Sequence, residues 1–389
     1  MSARIRESKR RQLSFTKAVF FGSGPAPAGE KQKWLNEESM KKLLVGMSGG
    51  VDSSAAAYLL KQQGYEVTGA TLLLRDGQDA AAEREVNDAR RAAEAIGIPH
   101  VTLDFREAFR REVIGRFIRE YQEGRTPNPC IVCNRYVKWE CLLRKAAEMG
   151  ADGIATGHYA RVKQLENGRF ALAPSAGDLH TSKDQTYALY RLTQEQLSRT
   201  RMPLGEYTKD GVRQIAREAG IPVADKPDSQ EICFIPDHDY AAFIEHDTGR
   251  RFPPGHFVDA EGHVLGEHRG IIRYTVGQRK HLGIALGKRM FVREIRPLTN
   301  EVVLADDAEL YQRSFRAGDL HFMSVPDLTE PAEVFAKIRY NHAGAPAVIV
   351  KNDDRTLTCT FTEPQRAITP GQAAVFYRDG VLLGGGTIL

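Results

Sequence analysis

The stretch that most constrains this chain is Gly46-Met47-Ser48-Gly49-Gly50-Val51-Asp52-Ser53-Ser54, set between the apolar run Leu43-Leu44-Val45 and the helix-forming run Ala55-Ala56-Ala57-Tyr58-Leu59-Leu60. A buried strand feeding a glycine turn into a helix is the opening of a parallel α/β sheet. Glycines let the backbone turn tightly and approach a ligand without a Cβ in the way. The N–H groups at the helix start, with the helix dipole, favour an anion there. Ser48, Ser53 and Ser54 add hydroxyl donors, and Asp52 can orient the loop or hold Mg²⁺. A phosphate or pyrophosphate is the expected ligand. The stretch has neither Gly-x-Gly-x-x-Gly nor Gly-Lys-Ser/Thr, so it is not a dinucleotide fingerprint or a Walker loop. The plain alternative is a Gly-Gly turn capped by Asp or Ser.

From 41 to about 159 strands alternate with helices. The pattern predicts a helix from Val51 to Gly64, a strand over 66–74, a charged helix over 79–96 and a strand over 100–105. Phe109, Val113, Phe117 and Tyr121 then mark the core-facing stripe of a helix over 106–123. A helix over 135–149 and a strand over 153–159 complete a doubly wound parallel sheet, with its ligand at the carboxyl ends of the strands. After Asp237 the pattern changes. A short helix over 239–246 leads into strand-like segments at 263–265, 270–275, 290–295 and 301–304. From about Phe315, five or so short strands predict a small barrel or sandwich.

The expected domains are 1–40, a flexible basic extension; 41–237, the α/β domain bearing the phosphate loop; 238–313, a small mostly-β domain; and 314–389, a C-terminal β-barrel. At 389 residues, two or three domains are expected. No stretch approaches the roughly 20 apolar residues of a membrane span. The net charge of +4 resides in residues 1–40, where eight Lys or Arg face four Glu; the other 349 residues are balanced at 46 against 46. RNA contacts must therefore come from local patches. Glu7, Glu30, Glu37 and Glu38 weigh against a transit peptide, and Met40 lies directly before the first strand, so the extension could be an over-long start.

The five cysteines, an odd number without a signal peptide, point to a reducing cytoplasm. Cys130 and Cys133 lie in Thr126-Pro127-Asn128-Pro129-Cys130-Ile131-Val132-Cys133-Asn134, read as a proline-set loop at a helix start. The helix dipole, Arg135 and Lys138 are expected to lower a thiol pKa there. A structural zinc site needs four ligands and no second Cys-x-x-Cys exists. A thioredoxin-like pair lacks its fold signal. The third reading recruits Cys233, in the run from Lys226 to Pro236; a buried core cysteine between Ile232 and Phe234 is the plain alternative, against which the preceding polar run favours an exposed loop.

Ser48 to Ser53 resembles the pyrophosphatase (PP) loop of ATP-dependent adenylating enzymes, which split ATP into AMP and pyrophosphate. With that loop, the Asn128–Asn134 segment, Ala155-Thr156-Gly157-His158-Tyr159, Lys183-Asp184-Gln185, the run from Asp228 to Pro236, Tyr274–Lys280 and Thr369-Pro370-Gly371-Gln372, the chain resembles the tRNA-specific 2-thiouridylase family. The likeness covers about 41–389.

The resemblance implies a PP-loop domain followed by a small β domain and a β-barrel. It implies that the C2 oxygen of wobble uridine 34 is adenylated and then exchanged for sulfur, giving 2-thiouridine. ATP, with Mg²⁺, would lie on Gly46, Met47, Ser48, Gly49, Gly50, Val51, Asp52 and Ser53, with Leu72 and Gly157 nearby. Cys233 would carry a persulfide loaded by a cysteine desulfurase or sulfur-relay protein. Cys133 would be the nucleophile that releases that sulfur or completes transfer, leaving a Cys133–Cys233 disulfide. Asn128, Pro129 and Cys130 would lie beside the target base, with His158, Lys183, Asp184 and Gln185 nearby, and Arg339, Tyr340 and Gln372 would reach the tRNA from the barrel. For Arg339 and Tyr340 a solvated barrel strand is the plain alternative.

Cys130 departs from the family version with Asp at that position. It could replace that residue as a base, resolve a disulfide, or join Cys133 and Cys233 on three irons of a [4Fe–4S] cluster. Two other readings stand beside this one. Another adenylating enzyme, an amidotransferase-type synthetase or lysidine-type ligase, would not need two distant thiols. A metal-bearing RNA-binding protein would bind tRNA without consuming ATP.

Overall fold

The structure, a computed structural model, describes residues 41–75, 80–175, 184–227, 232–235, 237 and 239–389. The extension over 1–40 and Lys183 lie outside the described residues. Five strands form the first sheet: β1 (Lys42–Gly46), β2 (Glu66–Leu73), β3 (His100–Asp104), β4 (Gly153–Thr156) and, after a hairpin of β5 (Ala160–Gln164) and β6 (Phe170–Pro174), β7 (Thr200–Arg201). Their order is β3-β2-β1-β4-β7, every pairing parallel. Leu43, Leu44 and Val45 are all buried, as a strand covered on both faces requires. Leu43 and Val45 pack into a core with α1 (Val51–Gln62), α2 (Ala80–Ile96) and α8 (Lys209–Glu218).

The predicted helix over 106–123 is present with a change of pitch. It runs as α3 (Arg106–Phe109), a π segment (Arg110–Ile114) and α4 (Gly115–Gln122), and its stripe of Phe109, Val113, Phe117 and Tyr121 is buried. The next helix starts earlier than expected, as α5 (Pro129–Cys133), a second π segment (Asn134–Trp139) and α6 (Glu140–Glu148). Pro129 stands in its first turn, where a missing N–H costs nothing. Such π segments gather at functional sites in many proteins. Between α6 and α8 lies the short α7 (Gln194–Ser198).

Past α9 (Tyr240–Thr248), strands β8 (Gly255–Val258), β9 (Val264–His268), β10 (Phe291–Arg296) and β11 (Glu301–Ala305) form a sheet in the order β10-β11-β8-β9. The strand expected over 270–275 is instead a 3₁₀ turn, Ile271–Arg273. Gly270 turns the chain at φ +102°, and the Gly270 carbonyl accepts from Arg273 N, so the turn consumes groups a ladder would need. The last module is a closed antiparallel barrel in the order β12-β15-β14-β13-β16-β17: β12 (Tyr311–Phe322), β13 (Ala332–Lys337), β14 (Ala345–Lys351), β15 (Leu357–Arg366), β16 (Ala373–Arg378) and β17 (Val381–Ile388). The described residues, from 41 to 389, belong to one compact unit.

Candidate active site

The Gly46–Ser54 loop leaves the carboxyl end of β1 and enters α1. Met47 is buried, its N–H donating to Ala70 O and its carbonyl accepting from Thr71 Oγ1 at 2.9 Å, which ties the loop to β2. Gly49 has φ +70°, and a Cβ there would stand 2.4 Å from the Glu85 carbonyl oxygen. Ser48 N donates to Ser53 Oγ at 3.1 Å, and the Ser53 and Ser54 hydroxyls donate to Gly50 O. Gly157, just past β4, presses on the loop: a Cβ would lie 2.6 Å from Ser53 N. Leu72 is half-buried in β2.

Asp52 is fastened by Lys209, whose Nζ lies 2.7 and 2.8 Å from its two oxygens, and by the Tyr159 hydroxyl at 2.7 Å. Of the two roles expected for Asp52, the structure shows the orienting one. Lys226 donates to Gly49 O at 3.1 Å and to Asp88 at 2.8 Å, and it holds the Asp88 carboxyl below its usual range.

The cysteine segment is helical through Cys133, which separates the two thiols. Cys130 is exposed and Cys133 buried. Burial pushes the Cys133 thiol up to about 12, with Lys138 only partly opposing. The expected low-pKa thiolate is thus corrected: desolvation outweighs the cation and the helix start. Cys233, exposed in a turn, accepts through its carbonyl from Arg75 Nη1 at 3.0 Å. Protein crowded around its sulfur raises its thiol, and Lys138 again lowers it. Lys138 lowers the thiols of both Cys133 and Cys233, and Cys130 raises both, so two segments of chain converge beside Lys138. Cys141 donates to Tyr136 O and Cys359 is buried in the barrel core. All five cysteines are free.

Contacts lead from the loop to Cys233. Glu85, whose carbonyl faces Gly49, pairs with Arg75 at 3.0 Å, and Arg75 holds Cys233.

The barrel also reaches the cysteine segment. Gln372 Nε2 donates to Thr126 O at 2.8 Å and Pro127 O at 3.3 Å. Tyr187 donates to Ala373 O and meets Tyr340 edge-on at 6.0 Å. The Asn128 side chain reaches the Tyr187 hydroxyl, Pro129 is buried, and the 38% exposed Tyr340 stands near Cys130 and Asp184. Asp184 is buried under Thr186, whose hydroxyl donates to it at 2.7 Å. Gln185 accepts from Tyr159 N. His158 lies against Trp139, and burial drives its imidazole down to about 3, hence neutral. Arg339 donates to Arg366 O from a turn beyond β13. The anchors Lys209, Lys226, Tyr159, Arg75 and Tyr187 were not assigned roles from sequence; Tyr159 and Lys226 do stand inside the quoted motifs.

Fold, loop and thiols define a class: a nucleotide-binding α/β domain with two β modules, whose cysteines flank a phosphate loop. Residues 41–237 match the tRNA methyl transferase HUP domain, 241–306 its PRC-barrel domain, and 312–388 an aminomethyltransferase β-barrel domain. The tRNA-specific 2-thiouridylase MnmA of Lachnoclostridium phytofermentans is 55% identical over 359 residues, covering 90% of this chain and 100% of that protein. That of Clostridioides difficile is 50% identical over 356 residues, 90% and 98%. The U34-tRNA thiolase NcsA from Methanococcus maripaludis with its [4Fe-4S] cluster aligns with TM-score 0.34 and 18% identity over 56% of this chain and 70% of that one, too remote to carry an argument. The chain belongs to the tRNA-specific 2-thiouridylase family.

Proposed function

We propose that this protein is a tRNA-uridine 2-sulfurtransferase that adenylates the C2 oxygen of wobble uridine 34 and exchanges it for sulfur from a Cys233 persulfide. The observation that carries this reading is the convergence of Cys133 and Cys233, from separate segments, near an anion-binding loop. The uridine C2 oxygen attacks the α-phosphorus of ATP and pyrophosphate leaves, its charge met by the N–H groups at the start of α1. Mg²⁺ travels with the ATP phosphates. Cys133 thiolate then attacks the inner sulfur of the Cys233 persulfide. A Cys133–Cys233 disulfide forms, hydrosulfide is released, and its addition at C2 expels AMP. A dithiol reductant resets the two cysteines. The high pKa of Cys133 keeps this nucleophile protonated until substrate alters its surroundings.

The domain boundaries at 41, 238 and 314 belong to the same proposal, as do a cytoplasmic location and a tRNA set of the Lys, Glu and Gln type. No described helix is long and apolar enough to cross a membrane. Asn128, Pro129, Cys130 and Tyr340 border the flipped base, with His158 and Arg339 close by. Asp184, Gln185 and Gln372, already bonded within the protein, position those contacts. The sulfur source is a cysteine desulfurase or relay protein.

The test is thiouridine formation on a tRNA transcript with ATP and a cysteine desulfurase supplied with L-cysteine. Wild type forms it and Cys233→Ser does not, while pyrophosphate release persists; thiolation by Cys233→Ser overturns the reading.

A second reading concerns Cys130. Cys130, Cys133 and Cys233 would supply three thiolates to a [4Fe–4S] cluster, since Cys141 is hydrogen-bonded to Tyr136 O and Cys359 lies in the barrel core. Bound, such a cluster would offer one open, Lewis-acidic iron. Anaerobically purified protein then contains iron and acid-labile sulfide, lost in Cys130→Ala. Iron-free protein that thiolates tRNA at full rate leaves Cys130 the role of base or resolving thiol.

A further inference from the structure

The chain enters α1 through two adjacent glycines in different surroundings. Gly49 is buried under α2: a Cβ on it would stand 2.4 Å from the Glu85 carbonyl oxygen and 3.1 Å from Asp88 Cβ. Its φ of +70° lies in the left-handed region that glycine adopts without strain. Its carbonyl accepts from Lys226 Nζ at 3.1 Å. The same ammonium donates to Asp88 Oδ2 at 2.8 Å, and Arg91 Nη2 donates to Asp88 Oδ1 at 2.6 Å, so both oxygens of Asp88 are engaged. Gly50 is only half-buried. Its carbonyl accepts from the Ser53 and Ser54 hydroxyls, and its N–H donates to no described residue. A trans peptide unit is planar, with its C=O and N–H pointing in opposite directions. Whatever holds the Gly49 carbonyl therefore also aims the Gly50 N–H.

We propose that Lys226 and Asp88 are positioning residues for adenylation, which grip the Gly49 carbonyl and thereby aim the Gly50 N–H at a phosphate oxygen of ATP. The proposal rests on the adenylation half of the reading given above and adds how one donor of the loop is set. The neighbouring units of the loop are fixed without outside help: Met47 is tied to β2 through its N–H and its carbonyl, and Ser48 N–H to Ser53. The Gly49–Gly50 unit is different. It lies between two residues without a Cβ, where the backbone has the most freedom to rotate, so its orientation depends on a group from elsewhere in the chain. A donor fixed in advance contributes most where charge develops, here on the phosphate oxygens as the bond from the α-phosphorus to the departing pyrophosphate breaks. A lysine has a long, mobile stem, and Asp88, itself fixed by Arg91, restrains it. Asp88 thus acts through Lys226.

The test measures tRNA- and ATP-dependent pyrophosphate release, as kcat and KM for ATP, in Lys226→Met, Lys226→Arg, Asp88→Ala and the double variant Lys226→Met with Asp88→Ala. Lys226→Met loses about thirtyfold in kcat with KM for ATP within threefold, the pattern of an interaction realised in the transition state. Lys226→Arg, which keeps a charged donor, stays within fivefold of wild type. Asp88→Ala loses about tenfold alone and less than twofold more in the Lys226→Met background, because its effect passes through the lysine. The arginine rescue and the double variant separate positioning from a loss of folding. Lys226→Met with kcat within twofold of wild type overturns the proposal. So does a rise in KM at unchanged kcat, which would make Lys226 an ordinary ligand of bound ATP, and so do additive losses, which would make Asp88 act independently of the lysine. Each of these failures leaves the adenylation reading standing. Wild type that releases no pyrophosphate with tRNA and ATP defeats that reading, and the proposal with it.

Discussion

The phosphate loop and the sulfur site sit close together and are built in opposite ways. The loop is one contiguous segment that bonds within itself and to the strand beneath, Ser48 on Ser53, Ser53 and Ser54 on Gly50, Met47 on β2, with Lys209, Tyr159 and Lys226 reaching it from elsewhere. The sulfur site has no contiguous segment. Cys130 and Cys133 come from one helix turn and Cys233 from a turn about a hundred residues later, and they meet only because α5, the second π segment and the Arg75 contact bring them together. Activation of an oxygen is the same problem for many adenylating enzymes and can be solved by a portable loop. The proposed sulfur delivery uses two thiols, and the tertiary structure keeps them in different environments, Cys133 buried and Cys233 exposed.

Four changes would break or sharpen that contrast. Cys133→Ser lowers persulfide-supported thiolation by about a thousandfold while tRNA- and ATP-dependent pyrophosphate release stays within a few fold; parallel loss of both, in paired radiolabel assays, would mean that the halves are not separable. Gly157→Ala does the reverse. Its Cβ would be driven to 2.6 Å from Ser53 N, and pyrophosphate release falls by about a hundredfold, near 3 kcal/mol. A threefold change would show that the loop yields.

His158 ties the sulfur flank to pH. Its folded pKa of about 3 lies below its ordinary 6.5, so the unfolded chain takes up the proton first. The stability this group contributes is present above about 6.5 and is lost as pH falls towards 3, about 2 kcal/mol of it between pH 8 and pH 5. Urea unfolding at the two pH values measures this, and His158→Asn removes it. The smallest effect is at Gln372. Gln372→Ala frees the carbonyls of Thr126 and Pro127 and raises the KM for tRNA about fivefold, worth about 1 kcal/mol, with the KM for ATP unmoved.

Much of this was legible beforehand. Alternation of apolar runs with helical stripes located the parallel sheet, since Leu43–Val45 and the Phe109–Tyr121 stripe are buried as read. The 3₁₀ turn at Ile271–Arg273 was misread because two buried isoleucines in a row imitate a strand. Cys130 and Cys133 were placed in a loop because Pro127 and Pro129 look like breakers, although a proline in the first turn starts a helix.

By itself, the order of residues determined the strand–glycine–helix geometry of the phosphate loop, because turn chemistry and hydrophobic period are local properties. Only the tertiary structure decided that Asp52 is held by Lys209 and Tyr159, which come from distant parts of the chain. It alone decided that Cys133 is a protonated, buried thiol, because burial depends on what the rest of the chain places around a side chain, and desolvation there exceeds what a helix start and one lysine supply.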